Sequence, residues 1–157
     1  MARSNVRLDY DELKKLQEQI EKLNDPSKMD EFFTSCAKEL AARLLAKVIK
    51  RTPVGQYPAE TGKMGGTLRR GWTAGKESNA AAYANSLRVN KVGTDYVIEI
   101  INPVNYASYV EFGHRTRNHT GWVEGQFMLT ISEKEIQNAA PKILENKLKK
   151  YLKECFK

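Results

Sequence analysis

The residues with the most evident chemical capacity lie in YASYVEFGHRTRNHTGW, Tyr106 to Trp122, where the chain's two histidines, His114 and His119, stand beside Arg115 and Arg117. Two imidazoles five positions apart could belong to a metal centre, but such a centre needs three or four converging donors with ordered groups behind them. No cysteine or carboxylate stands between the histidines to complete the set. For nucleophilic catalysis, the serines and cysteines lack a GxSxG elbow and a third group to orient a base. Glu111, Asp95 and Glu99 could pair as acid and base only by tertiary accident. The expectation is a protein that is not an enzyme and has no metal or cofactor, its histidines being solvated loop residues.

Gly62, Gly65 and Gly66 in TGKMGGT have the look of a phosphate loop, yet the GxxxxGK[ST] spacing is not met and no apolar strand precedes them. They are better read as turn residues ahead of a strand that begins at Leu68. Arg69 and Arg70 near Trp72, and Arg115 and Arg117 near Trp122, join guanidinium and aromatic groups, a combination that grips nucleic acid. The same residue types anchor protein interfaces. No helix-turn-helix, RRM or zinc-finger pattern accompanies them, so contact with a neighbouring subunit is favoured. A basic nucleic-acid-binding module without catalytic activity is the alternative.

Elements that could position these groups follow from periodicity. Tyr10, Leu13, Leu16, Ile20 and Leu23 form one stripe of a first helix that Asp25-Pro26 ends. Ser27 and Asp30 then read as a capping box for a second helix carrying Met29, Phe32, Phe33, Cys36, Leu40, Leu44 and Val48. Running to about Arg51 it would be roughly 33 Å long, and Thr52-Pro53 stops it. PVGQYPAETGKMGG, residues 53–66, has two prolines and four glycines and predicts a mobile, irregular loop.

Residues 67–77, 86–91 and 95–102 carry β-branched and aromatic residues between turn signals and predict three antiparallel strands. The run Tyr96 to Ile101 is apolar on nearly every residue, as expected of a strand covered on both faces, by helices and by another subunit. Asn102-Pro103 resembles an N-cap followed by a first-turn proline. Tyr106, Tyr109 and Val110 would anchor a short helix to the core, ended at Gly113 by a left-handed cap, with a basic loop over residues 113–125 beyond it. A last helix carries Phe127, Met128, Ile131, Ile136, Ile143, Leu144, Leu148 and Leu152. Ser132 and Glu135 offer it a second cap, and Pro141 a kink or restart.

Composition agrees with one domain over residues 1–157, a first helix (1–25) preceding a core (26–157). The chain of 157 residues is 41% hydrophobic, enough for a modest core. Twenty-six Lys and Arg against nineteen Asp and Glu give a net charge of +7. The excess falls in residues 28–76, with ten basic and four acidic residues, and in 134–157, with seven and three. Such a balance suits phosphates or acidic protein surfaces. Cys36 and Cys155 read as small buried groups in a reducing compartment. With no signal peptide and no apolar run of about eighteen residues, a soluble cytoplasmic protein with no membrane partner is expected. The fold class is α+β: an antiparallel sheet of three to four strands packed on a long helix and a C-terminal helix, with two long loops.

Five segments occur in order: TPV at Thr52, Pro53 and Val54; TG at Thr61-Gly62; LRRGW from Leu68 to Trp72; YASYVEFGHRTR from Tyr106 to Arg117, with Phe112 and Gly113 at its centre; and GQFM from Gly125 to Met128. In this they resemble the tail-completion (neck, minor tail component) family of tailed bacteriophages, the gene-product-ten-like group, whose pattern runs TPVxTGxLRxxW, a β-hairpin, YAxYVEFGTxx and a final helix opening with Phe or Met. The resemblance covers residues 28–157. The chain departs from it in a longer TPV-to-TG link at 56–60, an insertion at 63–66, and His114 in place of a small residue.

The resemblance implies a non-enzymatic subunit of a virion or tail-like particle, assembled in the bacterial cytoplasm into a typically six-fold ring at the head-proximal end of the tail. Its partners would be copies of itself, neighbouring neck, tail-terminator or tail-tube proteins, and DNA passing non-specifically through the lumen. A ring needs one patch to meet a different patch on the next copy. Arg69, Arg70, Trp72, Glu111, His114, Arg115, Arg117 and Trp122 are the candidates for that contact or for the lumen, with the loop 53–66 as a second contact.

Overall fold

Leu45 and Val48, both fully buried near the end of a 26-residue helix, mark the centre of the molecule. A computed structural model describes residues 10–76 and 79–157, apart from the side chains of Tyr10, Glu12 and Leu13. The first helix, α1, is Tyr10–Leu23, and the second, α2, is Pro26–Arg51, about 39 Å long at 1.5 Å per residue. Asp25 caps α2, its carboxylate accepting from Ser27 N at 3.0 Å. The cap therefore lies two residues ahead of the predicted Ser27–Asp30 box, because Pro26 needs no N–H partner and its fixed φ suits the first turn. Asp30 instead holds Lys91 Nζ at 2.8 Å and the Tyr96 hydroxyl.

The C-terminal helix α6, Met128–Cys155, runs antiparallel to α2. Ion pairs fix that direction: Glu39 meets Lys147 at 2.9 Å, while Glu135 meets Lys47 at 2.9 Å and Arg51 at 2.7 Å. Ser132 and Glu135, predicted as a second cap, lie inside α6. The Ser132 hydroxyl donates to the Met128 carbonyl and accepts from Arg51 Nη1 at 2.7 Å. Pro141 neither ends nor restarts the helix, which continues through it as one element.

Where the sequence predicts a strand at 67–77, the chain forms helix α3, Thr67–Gly71, followed by turns. A helical turn sets Leu68 and Trp72 one above the other, and both are buried against Ala41, Leu45, Val48, Ala84 and Met128. In an extended strand the same two residues would be about 13 Å apart. Gly71 is required here, since a Cβ would lie 2.2 Å from Asn102 Oδ1. A further helix, α4 (Ala80–Ser86), was not foreseen; Asn79 caps it by accepting from Ala81 N at 2.8 Å, and Ala84 is fully buried.

Strands β1 (Val89–Val92) and β2 (Asp95–Ile98) pair antiparallel, Val89 opposite Ile98 and Val92 opposite Asp95, around the predicted turn at Gly93. They are shorter than expected and form a two-stranded sheet. Tyr96, Ile98 and Ile100 turn half-buried toward the helices, whereas Val97 and Ile101 are 46% and 57% exposed. The expected double covering is thus single within this chain. Helix α5 spans Ala107–Phe112, and a second two-stranded sheet joins β3 (Gly113–Arg115) to β4 (Trp122–Glu124). The class is α+β as predicted, but two separate hairpins replace one sheet of three to four strands. Among the described residues no helix is long and apolar enough to cross a membrane.

Candidate functional site

Thr52, the C-cap of α2, draws three of the motif segments together. Its buried hydroxyl donates to the Val48 carbonyl, accepts from Trp72 Nε1 at 2.8 Å and lies 3.4 Å from Met128 Sδ. Its carbonyl accepts from Arg69 Nη2 at 2.7 Å and Nε at 3.2 Å. Arg70 Nη1 reaches the Gly65 carbonyl at 3.2 Å, so the two adjacent arginines pin both ends of the 53–66 loop. Gly55 and Gly65 meet so closely there that a Cβ on Gly65 would overlap the Gly55 carbonyl. The segment is irregular, as predicted, apart from one 3-10 turn, Ala59–Thr61, closed by Gly62 in the left-handed region.

A second node is centred on Glu111. Residue 127 occupies the N-cap position of α6, but it is a phenylalanine at φ 46°, and its side chain cannot accept the first amides. Glu111 supplies the missing acceptor from α5. Its carboxylate accepts from Leu129 N at 2.9 Å, Thr130 N at 2.8 Å and the Thr130 hydroxyl at 2.6 Å. Negative charge is favourable at that end of the helix dipole. Two backbone bonds, Gln126 N to the Val110 carbonyl and Phe127 N to the Glu111 carbonyl, close the same junction. Asn102, predicted to cap α5, is occupied elsewhere: its amide donates to the Leu68 carbonyl at 2.8 Å, and its Oδ1 accepts from Val104 N.

The stretch predicted as a basic loop, 113–125, is mostly the β3–β4 hairpin, with Arg115 opposite Trp122. Gly113 ends α5 at φ 86°, ψ 172°, a positive-φ extended conformation in place of the predicted left-handed cap, and the chain passes straight into β3. A Cβ there would lie 2.5 Å from the Val123 carbonyl, which restricts the position to glycine. Of the predicted anchors of α5, only Val110 is half-buried against the core. Tyr106 and Tyr109 are exposed, and the buried residue of the helix is Glu111.

The eight candidate contact residues therefore separate into three bracing residues, four at the hairpin, and Arg70 between them. Trp72 and Glu111 are buried within the chain, and Arg69 is half-buried on the Thr52 carbonyl. These three brace the fold. Arg70 is exposed but bound to its own loop. His114, Arg115, Arg117 and Trp122 are exposed together at the hairpin, where the His114 ring lies 5.8 Å from that of Tyr109. Trp122 in β4 is 55% exposed, and Phe112, at the end of α5 beside the hairpin's base, is 62% exposed and lines a shallow groove with Ile101 and Met128. Among the described residues, neither Arg115 nor Arg117 forms an ion pair.

His119 turns the loop between the strands at φ 58°. Among the described residues, no three of the His, Cys, Asp and Glu side chains converge as a metal site would require. The arrangement offers a rigidly seated, aromatic and cationic projection. Its brace is Glu111, a candidate contact residue by sequence whose carboxylate here is committed to the start of α6; the signal that points to this role is the lack of any capping side chain at Phe127.

A family model described as "Bacteriophage HK97-gp10, putative tail-component" matches residues 14–113. No curated protein and no solved structure was found to match the chain.

Proposed function

From the premise that the chain belongs to the HK97-gp10-like family of bacteriophage tail components, we propose that it is a structural subunit that forms a ring at the head-proximal neck of a tail or tail-like particle, joining or capping the tail. The observation that carries this reading is the β3–β4 hairpin: Trp122 lies exposed opposite Arg115, Phe112 and Arg117 are exposed as well, and among the described residues neither guanidinium forms an ion pair, while Glu111 and Thr52 fix the elements beneath. Aromatic residues and arginine are the types that anchor protein interfaces. The carboxylates of a neighbouring copy, or phosphates in the lumen, would pair with Arg115 and Arg117. The open outer face of the first hairpin, with Val97 and Ile101, gives a neighbour a second surface to cover.

The test is the double variant Arg115→Glu with Arg117→Glu in the full chain. It should stay folded by circular dichroism, lose the assembled mass seen by light scattering, and fail to incorporate into particles. Normal assembly of that variant would sink the assignment of the hairpin. Cryo-electron microscopy of purified particles would test the neck position. A wild-type protein that is monomeric and binds any duplex with a steep salt dependence would favour the nucleic-acid-binding alternative.

A further inference from the structure

We infer that α1 of one copy docks into the α2–α6 groove of the next, a contact that rests on the ring reading and names one of its interfaces. Helix α1 is amphipathic, and its described side chains are exposed except for Gln19 and Leu23. Leu16 and Ile20, one turn apart on the same face, are 44% and 46% exposed. A soluble helix with an apolar stripe buries that stripe against a partner. In its own chain α1 touches α2 and the end of α6, where Gln19 Nε2 donates to the Lys157 carbonyl at 3.4 Å; Leu23 is half-buried there, while Leu16 and Ile20 stay open.

A groove of about 430 Å³ lies open between the first turns of α2 and the last turns of α6. Met29, Phe33, Cys36, Leu144, Leu148 and Tyr151 are among its lining, which is almost wholly apolar. From Pro141 to Tyr151 its α6 wall is about 15 Å long, and the fourteen residues of α1 span about 21 Å, so the helix can cover the groove end to end. Charge agrees with the fit. Helix α1 carries four carboxylates and three lysines, whereas residues 142–157 carry six lysines and two glutamates.

The connection between α1 and α2 is Asn24 and Asp25 only, and both are hydrogen-bonded to the helices they join. Asn24 N is bonded to the Ile20 carbonyl, and Asp25 caps α2. The helix is therefore held away from the groove of its own chain while presenting a surface that fits it. One patch meeting a different patch on the next copy is the heterologous geometry that closes rings.

Cysteine cross-linking of the full chain tests the inference, in a background of Cys36→Ala and Cys155→Ser. Chains bearing Ile20→Cys are mixed with tagged chains bearing Leu148→Cys and oxidised, with total mass followed by light scattering. A disulfide between tagged and untagged chains is expected, and it should be lost when Leu16→Glu is added to the first chain. In a third chain carrying both Ile20→Cys and Leu148→Cys, a cross-link that forms only within the chain, with none in the mixture, would show α1 folding back on its own groove and overturn the proposal. Oligomers without the mixed cross-link would overturn it while leaving the ring reading standing. Monomers without it would overturn both.

Discussion

A carboxylate held by two backbone amides and a hydroxyl in the interior cannot be removed without leaving those donors unpaired, which costs more than the bonds themselves contribute. Glu111→Ala is therefore expected to lower stability by about 2–3 kcal/mol, and Glu111→Gln, which keeps the shape but loses the charge, by less. Urea unfolding read at the helix signal checks this; an unchanged midpoint for Glu111→Ala would show that α6 does not depend on its borrowed cap. Thr52→Val, nearly isosteric, removes the acceptor of the buried Trp72 N–H and should cost about 1–3 kcal/mol, whereas Thr52→Ser should cost less. Trp72 fluorescence during unfolding would show whether the indole is released. Neither role was legible as such in the sequence. Thr52 was visible as a helix stop and as part of a motif, because both are local properties. Its hydrogen bonds to residues twenty and seventy-six positions away are not local. Glu111 was visible only as a charged residue in a polar neighbourhood, since the helix it caps starts seventeen residues later.

At the scale of elements, the long helices were the legible part. Their periodicity runs for many turns, and Asp25-Pro26, Thr52-Pro53 and Gly113 mark real ends. Over residues 67–76 the sequence points to a strand because Thr, Leu, Trp and Thr suit one by type, while burial of Leu68 and Trp72 one helical turn apart decides the matter; tertiary packing overrides so short a propensity signal, and Glu77, the end of that expected strand, lies outside the described residues.

Ion pairs add to the apolar packing that joins the elements. Lys147, with Arg43 assisting, holds the Glu39 carboxyl below its usual range; Lys47 and then Arg51 do the same to Glu135; and Lys91 and then Tyr96 to Asp30. Groups with pKa values lowered in the folded state stabilise it above their unfolded values, and that contribution is lost as pH falls through the folded ones. With ordinary values of about 3.9 for Asp and about 4.3 for Glu, stability should hold from neutrality to about pH 5 and then decline. The double variant Glu39→Gln with Glu135→Gln should decline less steeply over that window. Denaturation midpoints from pH 7 to pH 3 check it, and parallel curves for the two proteins would contradict it. Because these pairs are partly solvated, added salt should narrow the difference between them.

At the scale of the molecule, the sequence showed a family motif and two basic segments, but not that the motif divides into an inner brace and an outer projection. That division depends on which way each side chain faces at the α5–β3 junction, and a single glycine sets it. It leads to a prediction distinct from loss of stability. Phe112 and Trp122 are more than half exposed, so Phe112→Ser with Trp122→Ser should change the unfolding midpoint little, within about 0.5 kcal/mol per site. If these rings are the anchors of a subunit contact, the same double variant should lower self-association severely, since a few buried aromatic residues dominate such interfaces. Sedimentation and thermal unfolding on the same samples separate the outcomes. Reduced mass at unchanged stability is expected; unchanged mass would move the contact away from the hairpin, and reduced stability would mean that the rings serve the fold of the single chain.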